Sequence, residues 1–289
     1  MKWKRARRSE NVEDRRGSGG MRAAGGLGLG GIAVVVVIGL LLGKSPGEML
    51  GLVAQLDSQL PSQSSQSQPA PAPGEDQAYE FIAAILGETE DVWTALFRSR
   101  GASYAPPRLV LFSGMVVSAC GSASAAVGPF YCPGDRQVYI DLEFFREMET
   151  RFGGGGEFAE AYVIAHEVGH HIQMLTGVFQ QVQEARQRRE DLSGAEGLLV
   201  RQELQADCFA GVWAHHAQAR HDWLEPGDIE AALNTASAIG DDRLQRQAQG
   251  TVVPDAFTHG TSAQRVRWFR TGFDTGDPAR CDTFAASRL

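Results

Sequence analysis

The feature that most constrains this chain is an H-E-x-x-H pattern at residues 166–170, inside an apolar run at 158–175. The run predicts a helix, and residues four apart on a helix share one face. His166 and His170 can therefore direct both imidazoles at a single metal ion. Glu167 lies one step round the helix, where its carboxylate can act on a metal-bound water without being a ligand.

A hydrolytic zinc site needs a third protein ligand, and the segment 201–207 offers one. Such sites keep three protein ligands and leave the fourth position for water. Glu203 and Asp207 are four residues apart and so share a helical face. We expect Glu203 to be the third ligand of one Zn²⁺ per chain, and Asp207 to accept the second ring N–H of a ligating histidine. The alternative is an ordinary pair of amphipathic helices with solvated carboxylates.

The beginning of the chain has the composition of a membrane anchor. Residues 1–22 are rich in lysine and arginine, and residues 23–43 carry no charge. Such a run can cross a bilayer as a helix, and the basic flank predicts a cytoplasmic N-terminus with the remainder of the chain outside. A cleaved signal peptide is the alternative, but no A-x-A-like site follows the run. The sequence therefore predicts a basic cytoplasmic segment at 1–22 and a retained transmembrane helix at 23–43.

A tether and a folded domain are expected after the anchor. Residues 44–75 are a juxtamembrane segment and a stretch rich in Ser, Gln, Pro and Ala, which cannot bury enough apolar surface to fold. The domain is then expected at 76–289, which is long enough for one core. Residues 1–44 hold nine basic and three acidic residues, whereas the whole chain has a net charge of −8, so the domain is strongly acidic. This charge argues against nucleic acid as a partner.

The periodicity of apolar residues predicts an α+β fold with a small sheet and a helical majority. Strands are expected at 108–112 and 137–141. The expected helices are 79–98 with an interruption near Gly87, 143–152, 158–175, 195–218, 227–249 and 262–273.

Four cysteines fit an oxidising compartment. Cys120 and Cys132 flank a loop rich in Gly, Ala and Ser and could close it as a disulfide, which would leave Cys208 and Cys281 for a second one. Four cysteines allow three connectivities, and the sequence does not choose among them. Metal ligation is the alternative, but the chain has no C-x-x-C, and the expected location outside the membrane favours structural disulfides.

The chain resembles the bacterial membrane-anchored family of putative neutral zinc metallopeptidases, with a gluzincin-like H-E-x-x-H and a downstream E-x-x-x-D. The matching stretches are 120–123, 128–133, 138–141, 166–170, 203–207 and 258–262 with Arg265. The resemblance implies a zincin-like fold and a zinc-dependent peptidase. In that peptidase His166, His170 and Glu203 would bind zinc and Glu167 would be catalytic.

Two further roles are expected in peptide hydrolysis. The tetrahedral intermediate needs a donor besides zinc, and His259 is the candidate, with a structural loop histidine as the alternative. Strand 138–141 is a candidate edge strand for pairing with an extended substrate. A plain buried strand is the alternative there.

The sequence thus predicts a membrane-tethered zinc peptidase whose domain meets peptide or protein substrates in the periplasm or outside the cell. One alternative is an inactive zinc-stabilised interaction protein, although a purely structural site has no use for Glu167. The other is a metal-dependent amidase acting on cell-wall material, because the same water can attack either bond. Neither the natural substrate nor the oligomeric state is predicted.

Overall fold

The computed structural model describes residues 1–16, 76–124, 128–152, 155–249 and 251–289. Within these residues the fold is α+β with a helical majority, as predicted. The helices are α1 (Gln77–Ser99), α2 (Leu142–Phe152), α3 (Glu157–Leu175), α4 (Val178–Gln187), α5 (Leu198–His221), α6 (Asp228–Ala238), α7 (Asp241–Gln249) and α8 (Ser262–Thr275). The strands are β1 (Val12–Asp14), β2 (Arg108–Phe112), β3 (Met115–Ser118), β4 (Gly121–Ser124), β5 (Phe130–Cys132) and β6 (Gln137–Asp141).

The main sheet of the described residues has the strand order β1-β2-β6-β5. Strands β1, β2 and β6 are parallel, and β5 runs antiparallel to β6. Strands β3 and β4 form a separate antiparallel hairpin. Both predicted strands are present, but β6 lies between β2 and β5. The prediction that residues 138–141 form an edge strand is therefore wrong, and β5 occupies that edge.

The first residues of the chain belong to the same compact unit as the helices. Trp3 is only 2% exposed, and Val12 of β1 pairs with Leu109 of β2. This placement differs from the prediction of a separate basic segment at 1–22 and a folded domain that starts at residue 76. The basic side chains that suggested a membrane flank include Arg7, which forms an ion pair with Glu90 of α1.

The predicted fold class also included one transmembrane helix, and this prediction is wrong for the residues that the structure describes. No helix among them is both long enough and apolar enough to cross a membrane. The two longest, α1 and α5, carry ionisable side chains along their middle turns, including Glu88 and Asp207. The predicted span at 23–43 and the tether at 44–75 lie outside the described residues.

Helix α5 packs against both α3 and α8, and glycines let the backbones approach closely. A Cβ at Gly169 of α3 would lie 3.0 Å from the Cα and the carbonyl oxygen of Ala206. A Cβ at Gly272 of α8 would overlap the carbonyl oxygen of Cys208. Close approach on both sides of α5 brings side chains of three helices into one small buried volume.

Three helix predictions differ from the structure in detail. Helix α1 runs through Gly87 without interruption. The helix predicted at 227–249 is divided into α6 and α7, with Ile239 as the residue that caps α6. Helix α4 follows α3 after a break of two residues and was not predicted.

Two disulfides are formed, and they are the pairs that the sequence suggested. One joins Cys120 to Cys132, and the other joins Cys208 of α5 to Cys281. The first ties the turn of the β3–β4 hairpin to the edge strand β5. The second fastens the C-terminal segment to the helix that carries Glu203.

Candidate metal centre

The structure brings His166, His170 and Glu203 together at the crossing of α3 and α5. One ligand atom from each side chain lies within 4.8 Å of the other two. The distance from His166 Nε2 to Glu203 Oε2 is 3.3 Å, and from His170 Nε2 to Glu203 Oε1 it is 3.5 Å. Ligand atoms about 2.0–2.1 Å from a tetrahedral zinc are separated by about 3.3 Å. These three side chains therefore fit one zinc ion.

The second ring nitrogen of each histidine is already hydrogen-bonded. His166 Nδ1 is 2.8 Å from Asp207 Oδ1, and His170 Nδ1 is 2.9 Å from Gln173 Oε1. Both acceptors require the proton on Nδ1, which leaves Nε2 free to bind a metal. Gln173 is fully buried, and its Nε2 donates to the carbonyl of Gln202 at 2.6 Å. The sequence analysis missed Gln173, whose only signal is its position three residues after His170.

Asp207 is the centre of a buried network. Its Oδ1 also accepts from the hydroxyl of Tyr162 at 2.5 Å and from Arg265 Nη2 at 2.9 Å, while its Oδ2 accepts from Arg265 Nε at 2.8 Å. Burial acts to raise the pKa of Asp207, but Arg265 and His166 hold it at about 2. The carboxylate is therefore charged at neutral pH and fixed in orientation by Arg265. The sequence analysis assigned no role to Arg265 or Tyr162.

Glu167 is buried beside the two histidines, with 7% of its surface exposed. Burial raises its pKa, and the nearby Glu203 acts in the same direction, whereas His166 and His170 oppose them. In contrast, the histidines hold the pKa of Glu203 well below its usual value in spite of burial. The two carboxylates therefore differ in pKa. Glu203 keeps its negative charge to lower pH, whereas Glu167 accepts a proton more readily.

His259 lies outside the three-residue cluster, on the loop before α8. Its side chain is 53% exposed, and its Nδ1 is 3.2 Å from Asp241 Oδ1. Asp241 Oδ2 accepts the backbone N–H groups of Thr258, His259 and Gly260 at 2.7, 2.6 and 3.1 Å. The hydrogen bond to Asp241 raises the pKa of His259, and Glu203 contributes. Asp241, which the sequence analysis did not single out, therefore fixes this loop.

Zinc binding is expected to strengthen as the pH rises from 6 to 8. Although burial lowers it, Asp207 and Glu203 hold the pKa of His166 at about 10, so the metal-free protein carries a proton there. Zinc must displace this proton, and Glu203 also raises the pKa of His170 against burial, so each pH unit is worth at least about tenfold in affinity. Competition with a chelator of known protonation behaviour at pH 6, 7 and 8 measures the slope. An affinity that does not change with pH would contradict this proton count.

Two histidines of one helix and a glutamate of a later helix, with a buried glutamate beside them, are the donor set and base typical of zinc hydrolases. The chain belongs to the family described as putative neutral zinc metallopeptidase, whose model matches residues 1–284.

Its relatives include the uncharacterized protein YpfJ of Escherichia coli strain K12, which is 48% identical over 295 residues and covers 99% of this chain and 100% of that protein. The uncharacterized protein Rv2575 of Mycobacterium tuberculosis strain H37Rv is 44% identical over 268 residues, with 86% of each chain covered. No solved structure matches.

Proposed function

We propose that this protein is a zinc-dependent peptidase that hydrolyses peptide bonds with an activated water and Glu167 as the general base. The observation that carries the proposal is the convergence of His166, His170 and Glu203 within 4.8 Å, next to a buried carboxylate that is not one of the three. A purely structural zinc site is normally closed by four protein ligands. The three groups here leave a coordination position for water.

The roles of the side chains follow from their protonation. Zinc held by these three groups would lower the pKa of a water molecule and polarise the scissile carbonyl. Glu167, whose pKa is raised by burial, is suited to take the proton of the attacking water and later to deliver it to the leaving amine. Asp207 keeps His166 in one orientation and one tautomer throughout. We assign the donor to the developing oxyanion to His259, whose Nδ1 is hydrogen-bonded to Asp241.

The edge strand β5 is our candidate for aligning an extended substrate. Among the described strands it pairs with β6 alone, so a substrate strand would be added along its other edge. The hydroxyl of Tyr131 on β5 is 3.0 Å from Nδ1 of His171, the residue after the ligand His170. His171 itself points away from the metal, because its Nε2 is 2.7 Å from the carbonyl of Ala105. Strand β5 is therefore hydrogen-bonded directly to α3, the helix that carries His166 and His170.

The compartment and partners are proposed from the cysteines and the charge. All four cysteines are paired, and such disulfides persist in oxidising surroundings such as the periplasm or the cell exterior. The proposed partners are peptides or proteins that serve as substrates. The negative charge of the chain argues against nucleic acid.

The proposal is tested by metal analysis of the purified full chain, followed by digestion of an unbiased peptide library and of purified cell-wall fragments in parallel. We expect about one zinc per chain and cleavage of the library that stops when a chelator removes the metal. Cleavage of wall fragments alone would replace the peptidase by an amidase. One bound zinc with no hydrolysis of either substrate would favour a zinc-stabilised interaction protein.

Replacement of His259 by alanine is expected to lower kcat about 10²- to 10³-fold, as loss of one oxyanion donor does. The zinc content should stay at the wild-type value, because the side chain is not one of the three ligands. His216→Ala is the control, since His216 lies on α5 with its Nε2 2.8 Å from the carbonyl of Gly276. Unchanged kcat in the His259 variant would leave His259 with a purely structural role in its loop.

A further inference from the structure

The first residues of the chain form backbone hydrogen bonds at two places with the catalytic unit, by which we mean the described residues from 76 onward that hold the candidate metal centre. Strand β1 continues the main sheet beside β2, and the N–H of Leu109 donates to the carbonyl of Asn11 at 2.8 Å. Further towards the N-terminus, the N–H of Ser9 donates to the carbonyl of Ala83 in α1 at 2.8 Å. These bonds require the segment to lie directly on both the sheet and α1.

The acidic side of α1 binds the basic and polar side chains of this segment. Glu90, which is 7% exposed, accepts hydrogen bonds from Arg7 Nη2 at 2.7 Å, from Ser9 Oγ at 2.5 Å and from Asn11 Nδ2 at 2.7 Å. Arg8 Nε donates to Glu80 Oε2 at 2.7 Å in the same way. Charge-assisted bonds of this length are the stronger kind, and here they converge on one side of a single helix.

Two further features show that α1 and α3 are shaped for this segment. A Cβ at Gly87 would lie 2.7 Å from the carbonyl oxygen of Arg7, so only glycine admits the segment at that point of α1. Trp3 is buried against Phe81 in an edge-to-face contact with ring centroids 5.3 Å apart. Its Nε1 donates at 2.8 Å to Glu157, the first residue of the helix that carries two of the three candidate zinc ligands, His166 and His170.

We propose that residues 3–14 are a built-in part of the catalytic unit and occupy the same compartment as the metal centre. A strand, a buried tryptophan and a shared carboxylate can be held in this way only when both partners are on the same side of any membrane. The arginines that would resist transfer across a bilayer are neutralised by carboxylates of α1 once they are bound. The inference does not depend on the chemistry of the metal site.

Cysteine labelling in cells tests the shared compartment. Lys4→Cys and Glu230→Cys place single thiols at exposed positions, one in the N-terminal segment and one on α6, and the four native cysteines are protected as disulfides. Spheroplasts carrying either full-length variant are treated with a membrane-impermeant maleimide before or after lysis. We expect both thiols to label in intact spheroplasts. Labelling of one thiol alone before lysis would overturn the proposal, whereas protection of both would support it and contradict the proposed oxidising compartment.

Thermal unfolding of the purified full chain tests whether the segment is built in. Arg7→Ala removes bonds to Glu90, Asp91 and the carbonyl of Gly87, and should lower Tm by about 4 °C or more. Arg5→Ala is the matched control, because Arg5 is exposed and makes no side-chain hydrogen bond or ion pair with any residue that the structure describes. Arg7→Lys should lie between the two. Equal Tm values for the Arg7→Ala and Arg5→Ala variants would overturn the proposal.

Discussion

Glu167→Gln is expected to keep about one zinc per chain and to lose most of its hydrolytic activity, with kcat reduced about 10²- to 10⁴-fold. The amide has the size of the carboxylate but cannot accept a proton from water. His166, His170 and Glu203 remain in place as ligands. Metal analysis and steady-state kinetics on a peptide substrate measure the two properties separately.

The folded state should tolerate this change well. Burial raises the pKa of Glu167, which shows that the site disfavours its charge, so a neutral amide should not lower Tm. Glu184→Gln on α4 is a control at an exposed carboxylate. Full activity with Glu167→Gln would exclude Glu167 as the base, and the peptidase mechanism would need another proton acceptor.

Glu203→Ala and Asp207→Ala are expected to fail in different ways. Glu203→Ala leaves two imidazoles and water for the metal, so stoichiometric zinc should be lost on dialysis. Asp207→Ala leaves all three ligands but frees the ring of His166, which typically costs about 10–100-fold in metal affinity. Zinc retention should therefore follow the order wild type, Asp207→Ala, Glu203→Ala.

The two variants should exchange places in the stability of the metal-free protein, with Asp207→Ala less stable than Glu203→Ala. Asp207→Ala leaves the guanidinium of Arg265 buried without its partner carboxylate, a loss of about 3–5 kcal/mol in the free energy of unfolding. Glu203 is partly exposed, so its removal should cost less. Glu196→Ala, at a side chain that is 59% exposed, should match wild type in both measurements. If Asp207→Ala lost zinc outright while Glu203→Ala kept it, the two roles would have to be exchanged.

The pairs of site residues that lie on one helix could be predicted from the sequence, because helix geometry alone brings them to the same face. The four-residue spacings of His166 with His170 and of Glu203 with Asp207 fix which side chains share a face. That the two faces meet depends on Gly169, whose missing Cβ lets α3 approach Ala206.

Residues that act across longer distances could not be assigned in this way. Arg265 reaches Asp207 from α8, and Asp241 holds the loop of His259 from the start of α7. Neither pair has a characteristic spacing in the sequence, because its geometry exists only after the helices have packed. Gln173 has the right spacing but belongs to a residue type that is common on helix surfaces.

The role of the N-terminal segment was hidden by a competing pattern. Strand β1 has only three residues, which is too short for alternation to be recognised. Arg7 and Arg8 stand before an uncharged run, and such residues are typical of a membrane flank. Their true partners on α1 lie more than seventy positions later in the chain, where no local rule could connect them.

The pairing of β1 with β2 also has a consequence for how the protein folds. Val12 and Leu109 are about a hundred positions apart, and parallel pairing at such a separation is slow to form because the entropy of bringing distant positions together must be lost first. During synthesis β1 leaves the ribosome before α1, and its partner β2 follows only after α1. Until they meet, the edge of β2 is open to strands of other chains. Once β1 has paired with β2, it therefore also protects this edge of the sheet from aggregation.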